Sequence, residues 1–224
     1  MENIQAIIWD WNGTLLDDVD ICIDTINYSL IRRDLPPLNK DTYREIFTFP
    51  VIDYYEKAGF DFSKDSFDEL SIEFLELYLE KLQECTLFQN AKSVIMEMAR
   101  LGYEQFILSA MEQESLRKSI RKFGIEKYFR RIKGIGDIYA YGKIGNGKAL
   151  VAESGFDPQH ICLIGDTLHD LEVARRVGCR CVLIAAGHQS YERLRQDYSF
   201  IIKEIKEIIP LCKPVNRKNV SGIM

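Results

Sequence analysis

Short apolar runs without polar alternation recur along this chain: Ala6-Ile-Ile-Trp-Asp10, Gln105-Phe-Ile-Leu-Ser109, Ile161-Cys-Leu-Ile-Gly165, Cys181-Val-Leu-Ile-Ala185 and Phe200-Ile-Ile202. A continuous run of this kind suits a strand covered on both faces, the condition met in a parallel sheet. Helical patterns occupy the intervals, at roughly 90–101, 113–123, 146–154 and 168–177. Strand alternating with helix predicts an α/β fold, an open parallel sheet with helices on both faces.

Residues 17–88 break that rhythm. Over 66–84, Phe67, Leu70, Phe74 and Leu77 recur at helical spacing, widened by Leu75, Leu79 and Leu82, and read as core packing. Pro36-Pro37 and the stretch Phe47 to Pro50 interrupt the helical character. The expected organisation is an α/β core made of 1–16 and 89–224, with 17–88 as a helical insertion after the first strand.

Net charge is −5, and the one basic-leaning stretch, Lys213-Pro-Val-Asn-Arg-Lys218, reads as a solvated tail. Neither feature suits a nucleic-acid binder. No stretch approaches the ~18 apolar residues of a membrane span. The start of the chain lacks a basic region followed by a long apolar one, so the expectation is a cytoplasmic protein. Cysteines 22, 85, 162, 179, 181 and 212 form no paired motif and are expected to be small buried hydrophobes, with Cys179 and Cys181 sharing a strand face.

In an open parallel sheet, chemistry collects beyond the carboxyl ends of the strands. Polar residues sit there at Asp10, Ser109 and Asp166, and a further acid, Asp170, lies four residues after Asp166. Converging carboxylates repel, and a hard cation such as magnesium relieves the repulsion while recruiting a phosphate. Gly13-Thr14 follows Asp10 as a loop whose amides suit an anion. Ser109 has a second reading as a helix cap, with Glu112 three residues on, and Asp170 has one as a first-turn acid. Gly142 to Lys148 nearly spells a nucleotide-binding loop, but Ala149 stands where serine or threonine should follow, and no buried run leads into Gly142.

These motifs, Asp10-Trp-Asn12-Gly-Thr14, Ile107-Leu-Ser109, a lysine upstream of the last motif, and Gly165-Asp166 to Asp170, resemble in their order the haloacid dehalogenase-like superfamily of phosphohydrolases. The resemblance implies a Rossmann-like core with 17–88 as a helical cap subdomain. It implies Asp10 as nucleophile, forming an aspartyl-phosphate on a small phosphorylated metabolite. Magnesium would be held by the carboxylates of Asp10 and Asp166 and the backbone carbonyl of Asn12, with Asp170 in support. Gly13, Thr14, Ser109 and a lysine would hold the phosphoryl group, Lys143 being favoured over Lys148 because it precedes the helix.

Asn12 departs from the family pattern, in which a second aspartate serves as general acid and base. An amide does neither, and such help is typically worth ~10²–10⁴-fold. Three readings follow: a leaving group that needs no proton, a stand-in such as His169 or a cap residue, or a phosphate-binding or regulatory protein with little turnover. A metal-independent 2-haloacid dehalogenase also lacks the second aspartate, but Gly165-Asp166 favours a metal. Arg32, Arg33 and Arg44 read as solvated charges rather than contacts to a second anion, and Phe47, Phe49, Tyr54 and Tyr55 line the cleft or pack the cap.

Overall fold

The computed structural model describes residues 3–136 and 142–215. Residues 216–218 of the basic tail fall outside that range. In chain order the elements are β1 (Ala6–Trp9), β2 (Leu16–Asp17), α1 (Val19–Ile31), α2 (Lys40–Ile46), α3 (Val51–Ala58), α4 (Phe67–Lys81), β3 (Thr86–Leu87), α5 (Ala91–Arg100), β4 (Glu104–Glu112) and α6 (Gln113–Lys122). There follow β5 (Arg131–Ile135), α7 (Lys143–Ser154), β6 (Ile161–Gly165), α8 (Leu168–Val177), β7 (Arg180–Ile184), α9 (Tyr191–Asp197) and β8 (Ile201–Ile202).

Every residue of β1 is buried, and its side chains divide by parity between two apolar layers. Ile7 and Trp9 enter one layer, Ala6 and Ile8 the other. The same division holds in β6, where Cys162 and Ile164 oppose Ile161 and Leu163, and in β7, where Val182 and Ile184 oppose Cys181 and Leu183. Helices α5 and α6 cover the first layer through Val94, Ile95, Met98, Leu116 and Ile120. Helices α7, α8 and α9 cover the second through Leu150, Leu171, Val173 and Leu194. Truncating a residue such as Ile8 to alanine would cost about 2–5 kcal/mol.

All strand pairs of this six-stranded sheet are parallel, in the order β5-β4-β1-β6-β7-β8. β5 is an edge strand that the search for apolar runs does not find. It buries Ile132 and Ile135, while Arg131 is exposed and Lys133 reaches Glu153 at 2.8 Å. One buried face leaves no continuous apolar run.

Helices α1 to α4 follow one another between β2 and β3, which pair with each other antiparallel (Leu16 with Leu87, Asp17 with Thr86). The double proline lies between α1 and α2, and Phe47 to Pro50 between α2 and α3. The stripe on α4 is core packing in part. Leu70 and Leu82 are buried and Phe67 and Phe74 pack against the core, but Phe67, Phe74, Leu75 and Leu79 also line a cavity. The block is also fastened to the loop after β7: Gln189 donates to the Phe47 carbonyl at 2.9 Å, and Arg44 donates to the carbonyls of Ala185 and Gln189. Among the described residues no helix is long and apolar enough to cross a membrane. All six cysteines are free, four of them buried, and Cys179 packs on the same apolar layer as Cys181.

Candidate active site

Asp10 follows β1 and Asp166 follows β6, and the Asp10 amide donates to the Ile164 carbonyl at 2.8 Å, so the two acids leave adjacent strands together. Asp170 joins them because helix α8 begins at once. Thr167 is its N-cap and accepts from the Asp170 amide, while Asp170 Oδ2 accepts from the Thr167 amide at 3.0 Å and its hydroxyl at 2.7 Å. Carboxylate oxygens of Asp10, Asp166 and Asp170 lie within 4.8 Å of one another, all buried. Asp170 therefore caps its helix and faces the site at the same time.

Lys143 is the first residue of α7, one position inside the helix and not in the loop before it. Its ammonium donates to Asp10 Oδ1 at 2.6 Å and to Asp170 Oδ1 at 2.7 Å. Lys148 is exposed on the same helix. Gly147, the glycine of the near-match to a nucleotide-binding loop, packs against the sheet: a Cβ there would lie 3.2 Å from Leu108 and Val173.

The Asp10–Gly13 loop is drawn tightly around Asp166. Gly13 has φ +69°, and a Cβ on it would collide with the Asp166 carboxylate and the His188 ring. Its amide donates to the Leu16 carbonyl and to Asp18 Oδ1, and the Thr14 amide donates to Trp11. Both amides are thus committed, and the anion-binding loop expected from Gly13 and Thr14 is not the geometry found. The Thr14 hydroxyl instead donates to Asp166 Oδ1 at 3.0 Å. Ser109 lies within β4, not at a helix cap, and Glu112 caps α6. Its hydroxyl accepts from the Met111 amide and donates to Asn12 Oδ1 at 3.2 Å.

Asn12 is held by residues of the helical block. Its Nδ2 donates to Asp18 Oδ2 at 2.7 Å and to the Tyr78 hydroxyl at 2.8 Å, and that hydroxyl donates to the same Asp18 oxygen at 2.8 Å. His188 completes the cluster. Its Nε2 lies 3.4 Å from Asp18 Oδ1, its Nδ1 meets the Tyr43 hydroxyl at 2.9 Å, and its amide donates to Asp166 Oδ2 at 2.6 Å. None of Asp18, Tyr43, Tyr78 and His188 is singled out by the sequence reading. For His188 a signal exists, since it lies just beyond β7 as Asp10 lies beyond β1. His169, a candidate stand-in for the missing acid, is largely buried. Its ring lies 4.8 Å from that of Phe49 in a tilted pair, and it bonds Glu172 rather than any site residue.

Burial is the largest influence on the site's acids and pushes Asp10 well above the usual carboxylate range; Lys143 opposes this, and Asp170 and Asp166 add to it. Burial likewise lifts Asp166 to about 6, with the His188 charge opposing. Burial also disfavours the charged form of Asp170, yet Lys143 outweighs it and holds that carboxyl low. His188 would lose its proton on burial alone, but Asp18 outweighs this and raises it to about 9. Three buried carboxylates thus share one ammonium. A donor set of hard oxygens with surplus negative charge fits magnesium. The neighbouring group Asp18, Cys22 and His188 is a different case, because burial keeps the Cys22 thiol protonated and Asp18 keeps the proton on His188, leaving neither as a ligand.

A sequence model of the family described as haloacid dehalogenase-like hydrolase matches residues 7–184, most of the chain. The chain belongs to that hydrolase family. Among its relatives, a phosphoglycolate phosphatase from Pseudomonas putida is 20% identical over 217 residues, covering 93% of this chain and 79% of that protein. A pyrophosphatase from Oceanobacillus iheyensis is 21% identical over 215 residues, covering 93% and 97%. A solved haloacid dehalogenase-like hydrolase from Streptococcus pneumoniae superposes with a TM-score of 0.79 at 22% identity, covering 94% of this chain and 99% of that one. Such a structural likeness speaks to the fold, and the fold agrees with the layered parallel sheet described above.

Proposed function

We propose that this haloacid dehalogenase-like enzyme is a magnesium-dependent phosphohydrolase of small phosphorylated metabolites, working through an aspartyl-phosphate on Asp10. The observation that carries the reading is Lys143 Nζ bridging Asp10 and Asp170 within a buried three-carboxylate cluster at the ends of adjacent parallel strands. Relatives named for phosphoglycolate and pyrophosphate support small phosphorylated substrates.

Asp10, Asp166, Asp170 and the Asn12 backbone carbonyl would hold the metal. Bound there, the ion supplies Lewis-acid neutralisation of phosphoryl charge. An oxygen of Asp10 attacks phosphorus, and the bond from phosphorus to the leaving oxygen breaks. Water then attacks the phosphorus, and the bond to Asp10 breaks, regenerating the carboxylate and releasing phosphate. Lys143 and the Ser109 hydroxyl hold phosphoryl oxygens and offset charge in both steps. Asn12 has no proton to give, so the leaving oxygen is protonated by water. The helical block 17–88 acts as the cap that screens the phosphorylated aspartate from bulk solvent.

The test is phosphate release from a generic aryl phosphate, with magnesium and with a chelator, by wild type and Asp10→Asn. Magnesium-dependent release by wild type and a loss of at least ~10³-fold in Asp10→Asn are expected. Rapid acid quench should place a phosphate on the peptide bearing Asp10. Equal activity in the two proteins would remove Asp10 as the nucleophile. Absence of turnover together with tight retention of a phosphorylated ligand would make this a binding protein.

A further inference from the structure

The cavity that opens onto Asp10 has a volume of about 320 Å³ and extends between the sheet and the helical block. Away from the carboxylates its walls are aromatic and aliphatic: Phe47, Phe74 and Tyr78 contribute rings, and Leu75, Leu79 and Met111 contribute aliphatic surface. Such walls reward a planar or apolar body and penalise a charged one.

Two further observations define what fits there. First, the only cationic side chains among the described lining residues are Lys143 and His188, and both are committed to buried acids. The arginines of the helical block are engaged elsewhere. Arg33 pairs with Asp65 at 2.9 Å and Glu73 at 3.2 Å, Arg32 approaches Glu73 at 3.9 Å, and Arg44 donates to backbone carbonyls. Glu112 adds an acid to the lining. Second, Tyr54 and Ser71 are lining residues of this cavity, and the hydroxyl of each is buried without a hydrogen-bond partner. Buried polar atoms are nearly always satisfied, so two orphans in one cavity call for a ligand atom.

We propose that the substrate is a phosphate monoester whose leaving group is uncharged, largely apolar, and tipped with a hydrogen-bonding group that meets Tyr54 and Ser71. This rests on the phosphohydrolase reading above and narrows it. A second anion, as in phosphoglycolate or pyrophosphate, enters this cleft without a counter-charge and next to Glu112.

The experiment compares 2-phenylethyl phosphate with phosphoglycolate, both primary alkyl esters, so that leaving-group acidity does not decide the outcome. With wild-type protein and magnesium, kcat/KM should favour the phenylethyl ester by at least about tenfold. Equal or greater kcat/KM for phosphoglycolate overturns the proposal while leaving the phosphohydrolase reading intact. Should neither ester turn over, the aryl phosphate assay above decides the phosphohydrolase reading, and the same pair is compared by calorimetric binding to Asp10→Asn. Tighter binding of the phenylethyl ester still supports the proposal, and equal or weaker binding overturns it. A ring-hydroxylated phenylethyl phosphate tests the orphan hydroxyls. Its advantage over the plain ester should shrink several-fold in Tyr54→Phe or Ser71→Ala, as expected when a neutral hydrogen bond is removed. An unchanged advantage in both variants rejects the role given to those hydroxyls.

Discussion

The side-chain amide of Asn12 donates to the carboxylate of Asp18 at 2.7 Å, so the residue that departs from the family pattern is matched by an acid on the helical block. An aspartate at position 12 would press one buried carboxylate against another. Asn12→Asp should therefore lower stability by about 1–3 kcal/mol, since it also leaves Asp18 short of a donor. The swapped double variant, Asn12→Asp with Asp18→Asn, should recover part of that loss. Urea denaturation of the four proteins of the cycle measures the coupling, and strictly additive losses would show that the pair is not coupled.

His188 links stability to alkaline pH. Its folded value of about 9 lies above the ordinary histidine value of 6.5, so its contribution is fully present below about 6.5 and is lost as pH rises through about 9. Asp18 has the opposite sign. Its lowered value gives stability above the ordinary carboxylate range that is lost as pH falls through the folded value. The pair is at full strength between those limits. Thermal melts from pH 6 to 8.5, below the range where unfolded thiols ionise, should show a decline that His188→Gln largely abolishes, and identical slopes in the two proteins would rule the pair out as its source.

Removing the one ammonium of the carboxylate cluster tests the charge balance. Lys143→Met should destabilise the protein by about 3–5 kcal/mol, because it strands buried carboxylates that Lys143 contacts at 2.6 and 2.7 Å. Magnesium should raise the melting temperature of this variant more than that of wild type. A smaller rise in the variant would contradict metal binding at these carboxylates.

Under the proposed function, magnesium and the proton compete for Asp166. That carboxyl is raised to about 6, so it is mostly protonated below that pH. The increase in melting temperature produced by a fixed magnesium concentration should shrink as pH falls through about 6. A pH-independent increment from pH 5 to 8 would place the ion elsewhere.

Much of the fold is legible because its central strands are covered on both faces and carry uninterrupted apolar runs, as β1 and β6 do. β5 escapes because Arg131 and Lys133 occupy its open face. The acids of the site are legible for a related reason: a buried run that stops at Asp10 or at Gly165-Asp166 announces a strand end. His188 is harder, since Ala185, Ala186 and Gly187 separate it from β7, and its meaning comes from Asp18 and Tyr43, far away in sequence. Tyr78 is hidden for another reason. The apolar stripe of α4 has the spacing of a core helix, and periodicity alone does not distinguish a packed face from one that walls a cavity.

The pairing of Leu16 with Leu87 and Asp17 with Thr86 brings the two crossings of the helical block side by side. Everything between them is topologically a cassette. A block of different length and sequence could be spliced onto the same two-stranded stub without changing the order of the sheet, provided it keeps the groups that Asp18, Tyr43 and Tyr78 present to Asn12, Gly13 and His188. Evolution can thus vary the helical wall of the cleft while the acids at the strand ends stay in place. A laboratory chimaera joined at this stub has the best prospect of keeping both halves folded.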